Sequence, residues 1–368
     1  MDGREVDDRG LEQSAGMGQR VEVGQAPLLR PHRRAPSDRP RVLSTLVHLN
    51  EYAEGQESLD MTATDEFASL CTSAADLGIP HRPEVRYVSR NIVMRHQRFH
   101  FLEWGDPANP PVLLLHGGNQ SAHSWDLVSL HLADRWHVYA LDQRGHGDSE
   151  WTRDSDYSSS AMGLDAARFI DAMGLDRLTV IGHSMGGQNA MRLTLSHPEQ
   201  VTALVLVDIG PEVSTIGAQV IRRFVTETRE FDDIDHFVAR VQEYDPYRPR
   251  AHIERTVKYN LLQRADGKFI SKHDHGPRLK ATGEHRERGD RFTLDDVRHL
   301  PMPVLIIRGA DSNILDADAA QRFADALPHG RLGTVPKAGH NVHGQNTPGF
   351  LAALFPFLEA NARHGRAG

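Results

Sequence analysis

An α/β architecture, a mostly parallel eight-stranded sheet with helices on both faces, is what this sequence predicts from residue 85 onward. Three observations carry that expectation. Short apolar runs of strand length alternate with stretches of helical apolar spacing, the pattern of parallel sheets. One such run, residues 178–181, passes straight into the glycine-rich turn Gly182-His183-Ser184-Met185-Gly186-Gly187 and then into a helical pattern. The alternation stops between about residues 211 and 300, where amphipathic helical spacing takes over and reads as an insertion.

Taken in order, residues 1–42 are rich in Arg, Pro, Gly and Asp and offer few apolar side chains to offset chain entropy. A disordered or loosely held arm is expected there. Residues 43–84 form a helical extension: 43–51 and 64–77 carry helical spacing, the second opened by Thr64-Asp65-Glu66 and stopped by Gly78-Ile79-Pro80. The core is expected over 85–210 and 301–362. Residues 85–94 and 99–104 read as an opening hairpin, and 112–116, 139–142, 178–181 and 203–208 as buried strands. Strands over 304–308 and 331–335 follow the insertion, and helices fill 165–173, 188–196, 317–327 and 349–360. Within the insertion, 218–227, 234–243 and 252–263 carry helical spacing.

Composition narrows the class. A net charge of -8 gives no basic surface for nucleic acid. No apolar run approaches the ~20 residues that span a bilayer, and the opening MDGREVDDRG lacks a basic and an apolar region of a secretory signal, so a cytoplasmic location is expected. Cys71 is the only cysteine, which precludes an internal disulfide and reads as a buried or idle thiol. The 22 histidines are scattered, without an HExxH or a Cys/His cluster, so no metal and no cofactor is expected.

The turn at 182–187 matches G-x-S-x-G. Its glycines let a strand and a helix pass close beside a serine held at a sharp bend, which projects the hydroxyl outward. A serine hydroxyl is a weak nucleophile at neutral pH and needs a base within hydrogen-bond reach. His340, following a strand and a flexible Ala338-Gly339, suits that role, with His343 one loop step farther on as its competitor. Without such a base, Ser184 would merely cap a helix. A G-x-x-x-G-G turn also loosely fits a dinucleotide site with Asp208 on a ribose, but that would leave Ser184 and His340 unexplained.

Four motifs lie in order at predicted strand ends: His116-Gly117-Gly118-Asn119, the stretch from Asp142 to Ser149 (DQRGHGDS), Gly182-His183-Ser184-Met185-Gly186-Gly187, and Ala338-Gly339-His340. Together they resemble the α/β-hydrolase superfamily over about residues 86–358. The resemblance implies a serine hydrolase with Ser184 as nucleophile, His340 as base and a helical cap formed by 211–300. It places the oxyanion hole at the backbone N–H groups of Gly118 and Met185, with Gly117, Asn119 and His183 as expected substrate contacts. In this family the Asp142, Arg144 and His146 stretch is mostly architectural. Many relatives carry the acid after the strand at 304–308, three residues beyond a glycine; here Ser312 stands in that place, with Asp311 one residue early. Asp208, in Val207-Asp208-Ile209-Gly210-Pro211, resembles instead an esterase subgroup whose acid follows the sixth strand. Asp208 is the preferred acid and Asp311 the alternative.

The expected substrate is a small carboxylic ester or lactone, apolar or aromatic, with Phe224, Phe237, Tyr244, Tyr247, Tyr259 and Phe269 available to line its pocket or to fill the cap's own core. C–C bond hydrolysis of a diketone is the second reading and a non-catalytic binding module the third. Epoxide and haloalkane chemistry would need an aspartate where Ser184 stands. The cap and the N-terminal extension are the surfaces offered for a homodimer.

Overall fold

The computed structural model describes residues 57–227, 230–274 and 292–362. The arm over 1–42 and the helix expected over 43–51 lie outside the described residues. The chain divides into Met1–Gly55 and Gln56–Gly368, and all that follows concerns the second unit.

Helix α1 (Glu57–Asp76) leads into the hairpin β1 (Tyr87–Met94) and β2 (Gln97–Trp104), then β3 (Pro111–Leu115), α2 (Asp126–Leu132) and β4 (His137–Leu141). Next come α3 (Ser159–Ala172), β5 (Leu178–His183), α4 (Met185–Ser196) and β6 (Val201–Val207). The insertion holds α5 (Thr215–Glu227), β7 (Glu230–Phe231), α6 (Ile234–Tyr244), α7 (Arg250–Val257), β8 (Leu261–Gln263) and β9 (Phe269–Ser271). Strands β10 (Val304–Gly309) and β11 (Gly330–Val335) complete the core with helices Ala317–Ala326 and Thr347–Asn361.

The main sheet has eight strands in the order β1-β2-β4-β3-β5-β6-β10-β11. Strands β1, β2 and β4 pair antiparallel, and every pairing from β4 to β11 is parallel. The inner parallel strands β3, β5, β6 and β10 are mostly apolar because both faces are covered, whereas the edge strand β11 is not. In β3, Leu113 and Leu115 pack on one face with Phe169, Met191 and Phe323; Val112 and Leu114 pack on the other with Trp125, Phe350 and Phe357. In β6, Leu204 and Leu206 share the first layer, Val205 and Val207 the second. Each such side chain contributes roughly 1.5–3 kcal/mol by leaving water, so these two layers dominate the stability of the fold.

Most elements lie where the spacing places them, but three differ. Helix α1 begins at Glu57, seven residues before the expected start, and turns Leu70 and Ala74 (i, i+4) into the core. It ends as expected, with Gly78 at φ +64. Helix α3 begins at Ser159 rather than near Asp165, because the Ser158 hydroxyl accepts the Ala161 N–H and caps it. The helix expected over 252–263 stops at Val257. Leu261–Gln263 instead pairs with Phe269–Ser271 in a hairpin whose turn has Gly267 at φ +87, and β7 joins it to make a three-stranded sheet. Among its described residues the cap insertion is therefore helical with a small sheet, built on its own cluster of Phe231, Phe237, Val238, Ile253, Val257 and Leu261.

Polar contacts fasten this insertion to the core. Arg255 donates to Asp126 at 2.8 Å, and Tyr259 stacks on His123 with ring centres 3.4 Å apart. Glu66 of α1 accepts from Lys258 and Tyr259, both at 2.9 Å. Farther along, Tyr157 donates to Asp274 at 2.6 Å and Ser271 to Asn119 at 2.9 Å.

Candidate active site

Ser184 sits between β5 and α4 with φ +51 and ψ -114, a region that a residue bearing a Cβ seldom adopts. Close packing forces the bend. A Cβ on Gly182 would run into the Gly186 carbonyl, and one on Gly186 into the Leu115 carbonyl. The Ser184 N–H is held by the Val207 carbonyl of β6 at 3.0 Å, which places the serine just beyond the C-terminal end of the central strand β5.

His340 follows β11. Its Nε2 lies 2.9 Å from Ser184 Oγ and its Nδ1 2.8 Å from Asp208 Oδ2. The carboxylate can only accept, so Nδ1 carries the proton and Nε2 is left to accept from the serine. Asp208 is fully buried at the end of β6, at φ +51. The Gly309 N–H donates to its Oδ1 at 3.2 Å and the Ser312 hydroxyl to its Oδ2. Ser312 thus supports the Asp208 carboxylate from the loop after β10. Asp311 points elsewhere: it is exposed and accepts from Tyr247 of the cap at 2.9 Å. His343 is also elsewhere, stacked on Trp125 with ring centres 3.9 Å apart and neither nitrogen partnered among the described residues. Burial, aided by Arg248 and His340, pushes its pKa down to about 3, so it is neutral.

Gly118, Met185, Ser184 and His340 all line one cavity of about 300 Å³. The Met185 N–H is the first of α4, where the helix dipole favours negative charge. Of the three expected substrate contacts, Asn119 and His183 reach the cavity lining and Gly117 does not. Gly117 instead clears space for the neighbouring ring: a Cβ there would lie 2.6 Å from His183 Nδ1. Fully buried His183 donates from Nε2 to the His340 carbonyl at 2.9 Å, and burial together with His340 and His343 holds its pKa well below the usual imidazole value. Asn119, at φ +61, accepts from Ser271 and ties this loop to the cap.

The cavity lining mixes apolar side chains (Ile209, Val213, Ile221, Phe224, Val241 and Ile314) with polar ones (Gln120, Ser124, Asp245, Arg248, Asn260 and Asn341). Of the aromatic residues proposed for the pocket, Phe224, Phe237 and Tyr244 line it; Tyr247, Tyr259 and Phe269 do not. The sequence signalled neither Asp245 nor Arg248. Nothing in a cap helix's spacing says where its last residues land, whereas Asn341 could have been suspected from its place beside His340.

In the Asp142 stretch, Asp142 and Arg144 are engaged in bracing contacts. Asp142 accepts from the backbone of Ala122 at 2.6 Å and of Asp148 at 2.9 Å, and Arg144 is paired with Asp165.

A sheet of this order, with a strained serine at the strand-to-helix turn after β5, defines a class, and comparison with known proteins agrees. The chain belongs to the alpha/beta hydrolase fold family, whose profile matches residues 110–347, and it is a hydrolase. It is 30% identical over 292 residues to an esterase of Mycobacterium tuberculosis, an alignment covering 77% of this chain and 92% of that one. A crystal structure of the Mycobacterium tuberculosis esterase superposes with a TM-score of 0.64 at 28% identity, covering 80% of this chain and 98% of that one. A sn-1-specific diacylglycerol lipase of Mus musculus is 28% identical over 269 residues, 69% of this chain and 82% of the relative. Among the described residues, no helix is long and apolar enough to cross a membrane.

Proposed function

We propose that this protein is a serine hydrolase that cleaves carboxylic esters or lactones through an acyl-serine intermediate. The observation that carries the reading is the hydrogen-bonded chain from Ser184 through His340 to Asp208, at 2.9 and 2.8 Å, opening on a cavity beside a helix N-terminus. Ser184 Oγ attacks the ester carbonyl carbon while His340 Nε2 takes its proton. The carbonyl oxygen becomes an oxyanion and accepts from the N–H groups of Gly118 and Met185; one such donor is typically worth about 10²–10³ in turnover. The carbonyl then reforms, the C–O bond to the leaving group breaks, and His340 returns the proton to the departing alkoxide. In a second round His340 takes a proton from water, hydroxide attacks the acyl carbon, and Ser184 leaves with that proton. Asp208 keeps Nδ1 protonated and stabilises the imidazolium that forms in each half-reaction.

The apolar side chains among the lining, Ile209, Val213, Ile221, Phe224 and Val241, favour an apolar substrate group. Names of similar proteins, an esterase and a diacylglycerol lipase, agree with ester chemistry. The test is labelling with a fluorophosphonate probe followed by turnover of p-nitrophenyl butyrate and a panel of lactones. Capture at Ser184 with ester or lactone turnover, both absent in Ser184→Ala, is the expected result. A wild-type protein that is neither labelled nor active on any of these substrates rejects the reading.

A further inference from the structure

Asp245, the capping residue just after helix α6, carries a carboxylate that is 2% exposed. Two costs attach to that placement: an anion is taken out of water, and it sits at a helix C-terminus, where the macrodipole disfavours negative charge. Burial pushes its pKa above the usual carboxylate range, against the opposing pull of Arg248, Asn341 and Gln345. A group held so unfavourably is held by something.

What holds it is the turn that bears His340. Asn341 Nδ2 donates to Asp245 Oδ2 at 3.1 Å, Gln345 acts on the same carboxyl group electrostatically, and Oδ1 has no hydrogen-bond partner among the described residues. Gln345 Oε1 in turn accepts from the Gly339 N–H at 2.5 Å. The contacts thus fall on Asn341 and, through Gln345, on Gly339, the two neighbours of His340 in the chain. Arg248 supplies the counter-charge at 3.7 Å, farther than a hydrogen bond, while its Nη2 is engaged by the His252 carbonyl and Thr256 Oγ1 at 2.8 Å. The guanidinium therefore stays anchored in the cap. From the core side, His183 secures the His340 carbonyl, so the turn is pinned from below by the sheet and from above by the cap.

We propose that Asp245 is a positioning residue: it holds the 339–345 turn so that His340 Nε2 stays in reach of Ser184 Oγ, and alignment of the base depends on a seated cap. This rests on the reading of His340 as the base. A plain cap-to-core tether would change unfolding alone; a positioning residue changes the rate of the serine.

The experiment uses the full chain and compares wild type with Asp245→Ala, Asp245→Asn, Asn341→Ala and the Ala/Ala double variant. It measures kcat and KM on p-nitrophenyl butyrate, the rate of fluorophosphonate capture at Ser184, and thermal unfolding. Asp245→Ala should lower kcat and the capture rate together by about 10- to 100-fold, the scale of a small misplacement of a catalytic group, with KM within about threefold. Asp245→Asn, whose amide oxygen still accepts from Asn341, should recover most of that loss. The double variant should be no slower than the slower single, because both delete one bond. Kcat and capture within about twofold of wild type, or losses that multiply in the double variant, overturn the proposal. If Asp245→Ala does not fold, Asn341→Ala removes the same bond from the core side and decides alone. A wild type that is not captured at Ser184 removes the nucleophile reading and this one with it; a captured wild type with unaffected variants removes only this one.

Discussion

Among the described residues, two serine–histidine–aspartate chains stand out. In one, Ser89 Oγ lies 2.8 Å from His100 Nε2 and His100 Nδ1 lies 2.7 Å from Asp142 Oδ2. In the other, Ser184, His340 and Asp208 are joined at 2.9 and 2.8 Å. By distance the two sets are interchangeable, and by surroundings they are opposites. Ser89 stands in the middle of β1 on an exposed position, with extended pairing to Leu102 and no helix starting beside it. Its aspartate is spent on bracing loops. Burial works to raise Asp142, but His100, His116 and the Asp148 amide prevail and hold it down to about 2. Ser184 has the strained backbone, the first N–H groups of α4 and the cavity. Three hydrogen-bonded residues are not enough; a nucleophile also needs a place for the substrate and for the charge that develops on it.

The sharpest way to break this contrast is at the two serines. Ser184→Ala should lower kcat on p-nitrophenyl butyrate by about 10⁴-fold or more, while Ser89→Ala should stay within about twofold; equal losses would erase the distinction. Next are the acids. Asp208→Asn should lower kcat by about 10⁴-fold, because Nδ1 loses the partner that fixes its tautomer. Asp311→Asn, whose amide oxygen can still accept from Tyr247, should leave kcat within about twofold. The reverse ranking would transfer the acid's role to Asp311.

Asp142 should answer in stability instead. Its folded pKa lies below the unfolded value, so the stability it contributes is complete above about pH 4 and is lost as pH falls toward 2. Asp142→Asn should cost about 2 kcal/mol at pH 7 and flatten that acid limb in urea unfolding. An unchanged limb would deny Asp142 its bracing role. His343 offers the smallest effect. As a histidine kept neutral in the fold, it contributes stability above the unfolded value near 6.5 that is lost as pH falls toward about 3. His343→Phe retains the stack on Trp125 and should remove about one proton from the slope of unfolding free energy between roughly pH 6 and 4. A slope identical to wild type would mean that the ring is protonated in the folded state.

Much of this was legible in the sequence for physical reasons. Parallel strands covered on both faces must be apolar throughout, so 203–208 and 304–308 announced themselves. The elbow was legible because Gly182 and Gly186 leave no room for a Cβ. Asp208 could be preferred over Asp311 because it ends a buried strand, and the structure brings it to His340. Ser312 filled the place where many relatives hold an acid, and its hydroxyl serves that distant carboxylate instead. What stayed hidden came from long-range docking. Strands β8 and β9 are too short to show a period of two, and they pair only because Gly267 turns the chain back. Asp245 and Arg248 reach the cavity only once α6 and α7 are seated, and no local pattern encodes that. Gly117 resembled a substrate contact because it adjoins Gly118, yet its bareness serves the His183 ring.

The crowding at positions 182 and 186 has an engineering consequence. Even one methyl group there would press on main-chain oxygens that cannot rotate away, so diversity introduced into this loop is spent on inactive clones. Ile221, Phe224 and Val241 border the same chamber from the cap, outside the hydrogen-bonded chain of Ser184, His340 and Asp208. Altered selectivity is best sought by randomising those three residues, leaving the elbow untouched.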